Sequence, residues 1–314
     1  MKRRTFLVLL VLPLCFALSC RKQDREANGK PGEGAKAHIP DTTSQAYPGL
    51  DEIKGFSIQA YYSPGNETRA RIIAERCEKA MNYVDRLVGF RPKVSLFVLN
   101  PEHWKAYATF PVYGMAHYSN NERLIIASQD NDLWKSFVPA LDRVPKEMAD
   151  QIKRAYTVGD GALSMMAFFD LLALHELGHA FHEQAGLTMP RLWIQELFSN
   201  LMLHTYIAEN EPEKLPVLEV FPETVVAAGT FGFEFTTLAD FEKKYSSMEP
   251  RNFAWYQCKL HVAAKRIYDD GGEQALIKLW RGPRENKETM TDVQLADFLK
   301  TKVSPEAARV QTDW

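Results

Sequence analysis

The sequence predicts an α+β fold in which a small mixed sheet in the N-terminal part packs beside helices that dominate the rest of the chain. Short segments rich in β-branched and aromatic residues, bounded by turn residues, are confined to residues 55–128, and this pattern indicates strands. Apolar residues at helical spacing fill most of the chain after residue 146. Strands followed by helices favour the α+β class. A chain of 314 residues with 46% hydrophobic residues can bury a large core.

The local patterns define the elements in turn. Along the chain we expect a strand over 55–62, a helix over 68–88, and strands over 94–100, 113–118 and 123–128. An amphipathic run from Lys146 to Tyr156 predicts a further helix. This helix either caps a cleft or covers the core, because amphipathic spacing by itself indicates only burial.

The N-terminus has the pattern of a secretory signal. Three basic residues, Lys2 to Arg4, precede an apolar stretch over 6–18 that is too short to span a bilayer comfortably. Residues 17–20 resemble a bacterial lipobox, and the resemblance implies that Cys20 becomes the lipidated first residue. Because Arg21 stands where an aspartate would imply retention in the inner membrane, we expect an anchor in the outer membrane, facing the periplasm or the cell surface.

The rest of the chain divides into a tether and one folded unit. Residues 21–50 are rich in Lys, Gly, Pro, Ser and Thr, which predicts a solvated tether. We expect one domain over 51–314, with a sheet lobe and an active-site helix in 51–186 and a helical lobe in 187–314.

Charge and cysteine usage limit the possible partners. A net charge of −2 gives no reason to expect nucleic acid or an anionic membrane surface as a partner, so we expect membrane contact only through the N-terminal lipid. Cys77 and Cys258 either pair or remain buried thiols, and their spacing leaves both possibilities open. The oligomeric state is open as well.

The most informative motif is His-Glu-x-x-His at residues 175–179, inside an apolar run. Residues four apart share one face of a helix, so the imidazoles of His175 and His179 can converge on one cation. Two neutral imidazoles and a carboxylate suit one Zn²⁺ with an open position for water, whose proton Glu176 can accept as general base. Such a site requires a third ligand.

Glu196 is the candidate third ligand. The helix that carries the motif is expected to end near Gly186, with Pro190 beyond it, and a new helix begins near residue 191. The short connection makes the two helices near-antiparallel neighbours, which lets Glu196 face the histidines. Asn200 lies one turn later on the same face, where it is predicted to hydrogen-bond a ligand imidazole and fix its tautomer.

These two helices resemble the gluzincin clan of zinc metallopeptidases, in which His-Glu-x-x-His supplies two ligands and a glutamate on a following helix supplies the third. The resemblance implies a zincin-like, thermolysin-like pair of metal-site helices with Glu196 as ligand. Clan members usually carry a carboxylate where this chain has Asn200, whose amide can accept the same hydrogen bond. The metzincin pattern does not match, because it requires Gly and His where His182 and Ala185 stand.

The wider chain is similar to the bacterial peptidase MA-like branch of that clan. The similarity covers most of residues 51–280 and is carried by 55–62, 68–87, 94–99 and 256–279, the last with a helix, a glycine turn and a second helix. It implies an extended peptide substrate that pairs with an edge strand of the sheet. Either Tyr113 to Tyr118 or Arg123 to Ala127 is the candidate strand, and each can equally be an ordinary core strand.

A donor is also needed for the oxyanion that forms during amide hydrolysis. Gluzincins usually supply a tyrosine or a histidine, and some place a tyrosine on a helix well after the third ligand. By position, Tyr256 is the candidate in this chain, with His261 and Tyr268 behind it.

Together these features predict a zinc metallopeptidase of the bacterial cell envelope. It would bind one Zn²⁺ through His175, His179 and Glu196 and hydrolyse a peptide or protein substrate with Glu176 as general base. Two alternatives stay open: a non-catalytic lipoprotein of the same fold that acts as a binding or scaffolding module, and a zinc amidase acting on cell-wall material. The metal chemistry of the two enzymes is the same, and their specificity lies in pocket walls that one sequence does not assemble.

Overall fold

A computed structural model describes residues 47–285 and 290–314. The predicted signal, the lipidation site Cys20 and nearly all of the tether lie outside the described residues. Within the described part, the prediction of an α+β fold is confirmed: a small mixed sheet accompanies a much larger set of helices. No described helix has the length and the apolar composition needed to cross a bilayer.

Five short strands form one mixed sheet. They are β1 (Asp51–Ile53), β2 (Gln59–Tyr62), β3 (Ser95–Leu99), β4 (His117–Ser119) and β5 (Arg123–Ala127). Their order in the sheet is β1-β2-β3-β5-β4. The three central strands β2, β3 and β5 are parallel, whereas each edge strand pairs antiparallel with its neighbour. The strand β4 is therefore an edge strand, and β5 is interior.

Two predicted strands are shorter in the structure because glycine turns interrupt them. The strand expected over 55–62 is extended only from Gln59, since Gly55 at a φ of 99° lies in the connection that separates β1 from β2. The strand expected over 113–118 begins only at His117, after Gly114, which also has a φ of 99°. The strands predicted over 94–100 and 123–128 are confirmed as β3 and β5.

The helices fill the rest of the fold. They are α1 (Glu67–Val88), α2 (Pro101–Tyr107), α3 (Asp132–Ser136), α4 (Lys146–Tyr156), α5 (Met166–Gln184), α6 (Leu192–Asn210), α7 (Leu215–Ala227), α8 (Leu238–Lys244), α9 (Pro250–Glu285), α10 (Asp292–Phe298) and α11 (Pro305–Thr312). The predictions over 68–88 and 146–156 are confirmed as α1 and α4. The helix α2 was not predicted, although its Asn100 cap followed by Pro101 is a recognised helix start.

The packing of three helices positions the candidate site. The helix α5 lies against β4 and β5 on one side and against α6 on the other, and α6 in turn packs along α9. Both α5 and α6 are buried around most of their circumference, which explains why their sequences are apolar on nearly every face. The sheet edge, α5, α6 and α9 therefore form consecutive layers.

The helix α9 contains a break that the sequence predicted. Gly272, with a φ of 54° and a ψ of −147°, interrupts the helical backbone between two helical segments. A side chain with a Cβ rarely adopts such a backbone conformation, so glycine is suited to this position. Cys258 in the first segment and Cys77 in α1 are both buried and free, so the two cysteines do not pair.

Candidate metal centre

The helix α5 brings the two histidines of the motif together. The Nε2 atoms of His175 and His179 are 3.1 Å apart, and their rings meet edge to face. Four residues make slightly more than one helical turn, so both side chains project from the same face. His175 is only 7% exposed. The motif therefore lies inside the protein, with two ring nitrogens directed to a common point.

A glycine inside the motif lets the second helix approach. A Cβ added at Gly178 would lie 2.8 Å from the Cα of Ser199 in α6, closer than real side chains approach a backbone. The start of α6 is held by the carboxylate of Glu242, which accepts hydrogen bonds from the N–H groups of Leu192 and Trp193. The close contact between α5 and α6 brings Glu196 near the two histidines.

Glu196 completes a group of three. Its Oε2 lies 3.0 Å from Nε2 of His175 and 3.5 Å from Nε2 of His179. The three potential ligand atoms thus form a triangle with sides of 3.0, 3.1 and 3.5 Å. Ligand atoms bound tetrahedrally to zinc, with bonds of about 2.0–2.1 Å, are separated by about 3.3 Å. The residues present therefore fit a zinc ion in both chemistry and spacing.

Hydrogen bonds fix the carboxylate of Glu196, which is 1% exposed. Tyr245, just after α8, donates its hydroxyl to Oε1. Gln257 in α9 donates from its amide nitrogen to Oε2, at 2.8 Å. Burial alone would raise the pKa of this carboxyl, but the neighbouring His179 and His175 hold the pKa well below its usual range. Glu196 is therefore a buried anion, and each of its two carboxylate oxygens accepts a hydrogen bond.

A third histidine, His182, contacts His179 of the motif. Nε2 of His182 lies 3.1 Å from Nδ1 of His179, on the ring edge opposite to the triangle. Burial and the adjacent His179 lower the pKa of His182 to about 3, so its imidazole is neutral. For His179 itself, burial would lower the pKa, but the carboxylate of Glu196 outweighs this effect and raises the pKa to about 9 in the metal-free protein.

Glu176 lies beside the triangle and is not part of it. Its Oε2 accepts the backbone N–H of Tyr118 in the edge strand β4, at 2.8 Å. The carboxyl is 9% exposed, and burial raises its pKa above the usual range, although His175 and His179 partly oppose this effect. A carboxylate with a raised pKa is a stronger proton acceptor than an exposed glutamate.

Two residues chosen from the sequence lie elsewhere. The hydroxyl of Tyr256, predicted as the oxyanion donor, donates to the carbonyl of Thr237 at 2.8 Å, and its ring is completely buried. Asn200 donates to the carbonyl of Glu196 and to the side chain of Gln257, not to a ligand imidazole. Its influence on the triangle therefore passes through Gln257.

His261 and Tyr268, the other two candidates for the oxyanion donor, are also directed away from the triangle. The Tyr268 hydroxyl donates to Glu209, and Nδ1 of His261 lies 3.4 Å from Oδ1 of Asn200. His261 packs against His204, and burial lowers the pKa of both imidazoles, that of His204 to about 4. They form a neutral, buried polar layer behind the site.

One of the two candidate substrate strands is largely covered by its neighbours in the sheet. The strand β5, over Arg123 to Ala127, pairs with β3 on one side and with β4 on the other. The strand β4 covers this edge over Arg123 to Ile125, and only Ile126 and Ala127 extend beyond β4. The other candidate, shortened to β4 (His117–Ser119), lies at the edge and contacts α5.

Four supporting residues were not identified from the sequence: Tyr118, His182, Tyr245 and Gln257. His182 carried a local signal, because it lies one turn after His179 on the same helix. Gln257 directly follows Tyr256, and adjacent residues of a helix point about 100° apart, so the correct position depends on the rotation of α9 against α6. Tyr118 and Tyr245 reach the site through tertiary packing that leaves no local pattern.

Comparison of the chain with protein-family models, with curated proteins and with solved structures gives no significant match to any of the three. The resemblance to the gluzincins therefore rests on the chain's own residues and their geometry.

Proposed function

We propose that the protein is a zinc-dependent metallopeptidase of the gluzincin type, with a zincin-like fold, that hydrolyses peptide bonds. The observation that carries the proposal is the triangle of His175, His179 and Glu196, with sides of 3.0–3.5 Å. These three residues would hold one Zn²⁺. Among the described residues, no fourth His, Cys, Asp or Glu joins this group. Three protein ligands are typical of catalytic zinc, whereas structural sites usually have four.

Zinc, when bound, would polarise the scissile carbonyl and lower the pKa of a water molecule at its open position. Glu176 then serves as the proton carrier of the reaction. Its Oε2 is held by the N–H of Tyr118, while Oε1 has no hydrogen bond within the described residues and is free to receive a proton. The same carboxyl group returns that proton to the leaving nitrogen.

The substrate in this proposal is a peptide or protein. The strand β4 lies at the edge of the sheet, and its Tyr118 N–H is bonded to Glu176. An extended peptide lying along β4 would therefore be next to the proton carrier and would compete with Glu176 for that N–H. Backbone pairing of this kind recognises extended conformation and does not require particular side chains.

The proposal includes the cellular setting. The N-terminal signal and the lipidation of Cys20 would attach the domain to the bacterial envelope by a lipid. The tether would end before residue 47 and not at residue 50 as predicted, because Tyr47 packs against Phe97 and Leu50 is buried in the core. Replacement of Cys20 by serine tests the anchor: the variant should partition into the soluble envelope fraction, whereas a protein that remains with the membranes would show that Cys20 is not the attachment point.

One experiment separates the proposed function from its alternatives. The purified protein is incubated with an unbiased peptide mixture and, in parallel, with purified cell wall, with and without added zinc, and beside the Glu176→Gln variant. Cleavage of peptides that requires both zinc and Glu176 supports the peptidase. Release of cell-wall fragments alone would support the amidase. If the zinc-loaded protein cleaves neither the peptides nor the cell wall, the result would support a binding or scaffolding module.

A further inference from the structure

We propose that His182 is a positioning residue that sets the tautomer of His179 and thereby directs the Nε2 lone pair of His179 to the metal. The inference deepens the proposed function and rests on it, since it assigns a task at the same metal centre to a side chain that lies outside the ligand triangle. It starts from one contact, Nε2 of His182 at 3.1 Å from Nδ1 of His179.

The protonation pattern follows from the geometry. A neutral imidazole carries one proton, and a metal ligand needs a free lone pair on the coordinating nitrogen. Because Nε2 of His179 belongs to the triangle with His175 and Glu196, the proton of His179 is on Nδ1. That N–H donates to Nε2 of His182, so the proton of His182 is on its own Nδ1.

The surroundings make His182 the natural acceptor. It is 2% exposed, so water does not readily take its place. Its ring meets Phe198 of α6 edge to face, with 6.0 Å between the ring centroids, and this contact holds its orientation. Removal of the imidazole would leave a buried N–H on His179 without an acceptor and would free the ring to adopt the other tautomer. Supporting groups of this kind typically change metal affinity about 10–100-fold.

His182 also belongs to a second group that could hold a metal, with His179 and Glu183. In that arrangement His182 would be a ligand and not a support. The two roles differ in stoichiometry, because a ligand role beside the triangle implies a second zinc ion, whereas a positioning role implies one.

The test compares zinc affinity, measured by competition with a chromophoric chelator, for the parent, His182→Leu and His182→Gln. Leucine keeps the volume and removes the acceptor, whereas glutamine can offer its carbonyl oxygen. We expect zinc binding about 10–100-fold weaker in His182→Leu and close to the parent in His182→Gln. His204→Leu is the matched control, because His204 is equally buried but its contacts are with Glu219, His261 and Tyr268. It should bind zinc as the parent does.

Equal affinity of the parent and His182→Leu would overturn the inference while leaving the metal centre intact. Two zinc ions per chain in the parent, with one lost in His182→Leu, would overturn it in favour of a ligand role. A parent that binds no zinc would overturn the proposed function and this inference with it. Nitrogen-15 chemical shifts of the zinc-loaded parent give a check that needs no variant: a proton on Nε2 of His182 would contradict the proposal.

Discussion

The backbone N–H of Tyr118 donates to Oε2 of Glu176 across 2.8 Å, so the edge strand β4 and the helix α5 are joined at the candidate general base. The same strand end is tied to α5 a second time, because the Gln184 side chain donates to the Tyr118 hydroxyl. The position of Glu176 relative to the ligand triangle is therefore set by the sheet as well as by its own helix.

Replacement of Glu176 by glutamine should abolish cleavage while leaving zinc binding intact. The amide oxygen of glutamine can still accept the Tyr118 N–H, but the amide cannot carry the proton, and we expect a loss of about 10²–10⁴-fold in turnover. Peptide cleavage and zinc content are measured on the same preparation, with Glu183→Gln, an exposed glutamate on α5, as control. Retained cleavage by Glu176→Gln would remove the general base from the mechanism.

Replacement of Tyr245 by phenylalanine should weaken zinc binding about 10–100-fold, because Glu196 loses the hydroxyl that holds its Oε1. Tyr256→Phe is the matched control. It removes a hydroxyl that is bonded to the Thr237 carbonyl, and we expect a stability loss of about 1 kcal/mol with unchanged zinc affinity. If Tyr256→Phe impaired turnover and Tyr245→Phe did not, the sequence-based choice of Tyr256 would be right and the structural account wrong.

Replacement of Gly178 by alanine should separate α5 from α6. The added Cβ would meet the Ser199 backbone at 2.8 Å, and overpacking of this kind costs about 1–3 kcal/mol, which offsets the helix-propensity gain of about 1 kcal/mol. We expect weaker zinc binding, since Glu196 moves with α6. Gly159→Ala is the control, because nothing lies within 4 Å of a Cβ built there. Zinc affinity and thermal unfolding that are equal in both variants would contradict the account.

The metal-free protein should lose stability as the pH rises from about 6.5 to about 9. The pKa of His179, which burial would lower, is raised to about 9 by Glu196, above the value of about 6.5 in an unfolded chain. Its proton therefore stabilises the fold fully below pH 6.5, and this contribution disappears as the pH passes 9. Zinc competes with the same proton, so zinc affinity should increase with pH across the same interval.

Thermal unfolding of the metal-free parent and of His179→Gln between pH 6 and pH 10 checks the sign. The melting temperature of the parent should exceed that of His179→Gln at pH 6, and the difference should decrease towards pH 10. A difference in melting temperature that grows with pH would mean that His179 is not protonated beside Glu196.

The features of the site that can be predicted from the sequence are those that depend on the spacing of residues along the chain. The pairing of His175 with His179 follows from the helical repeat, and the approach of Glu196 follows from the short connection between two helices. The residues that fix Glu196 are Tyr245, just after α8, and Gln257 in α9, which lie 49 and 61 residues further along the chain. One step of helical rotation separates Tyr256 from Gln257, and only the packing of α9 on α6 decides which of them faces the site. Likewise, the glycine turns that shortened two strands depend on backbone angles that residue type alone does not set.

Whether His175, His179 and Glu196 hold zinc is decided by the zinc content of the purified parent beside Glu196→Gln and Glu183→Gln. We expect about one zinc per chain in the parent and in Glu183→Gln, and clear loss in Glu196→Gln, because only Glu196 belongs to the triangle with both motif histidines. No zinc in a folded, zinc-supplied parent, or loss of zinc in Glu183→Gln with retention in Glu196→Gln, would contradict this expectation.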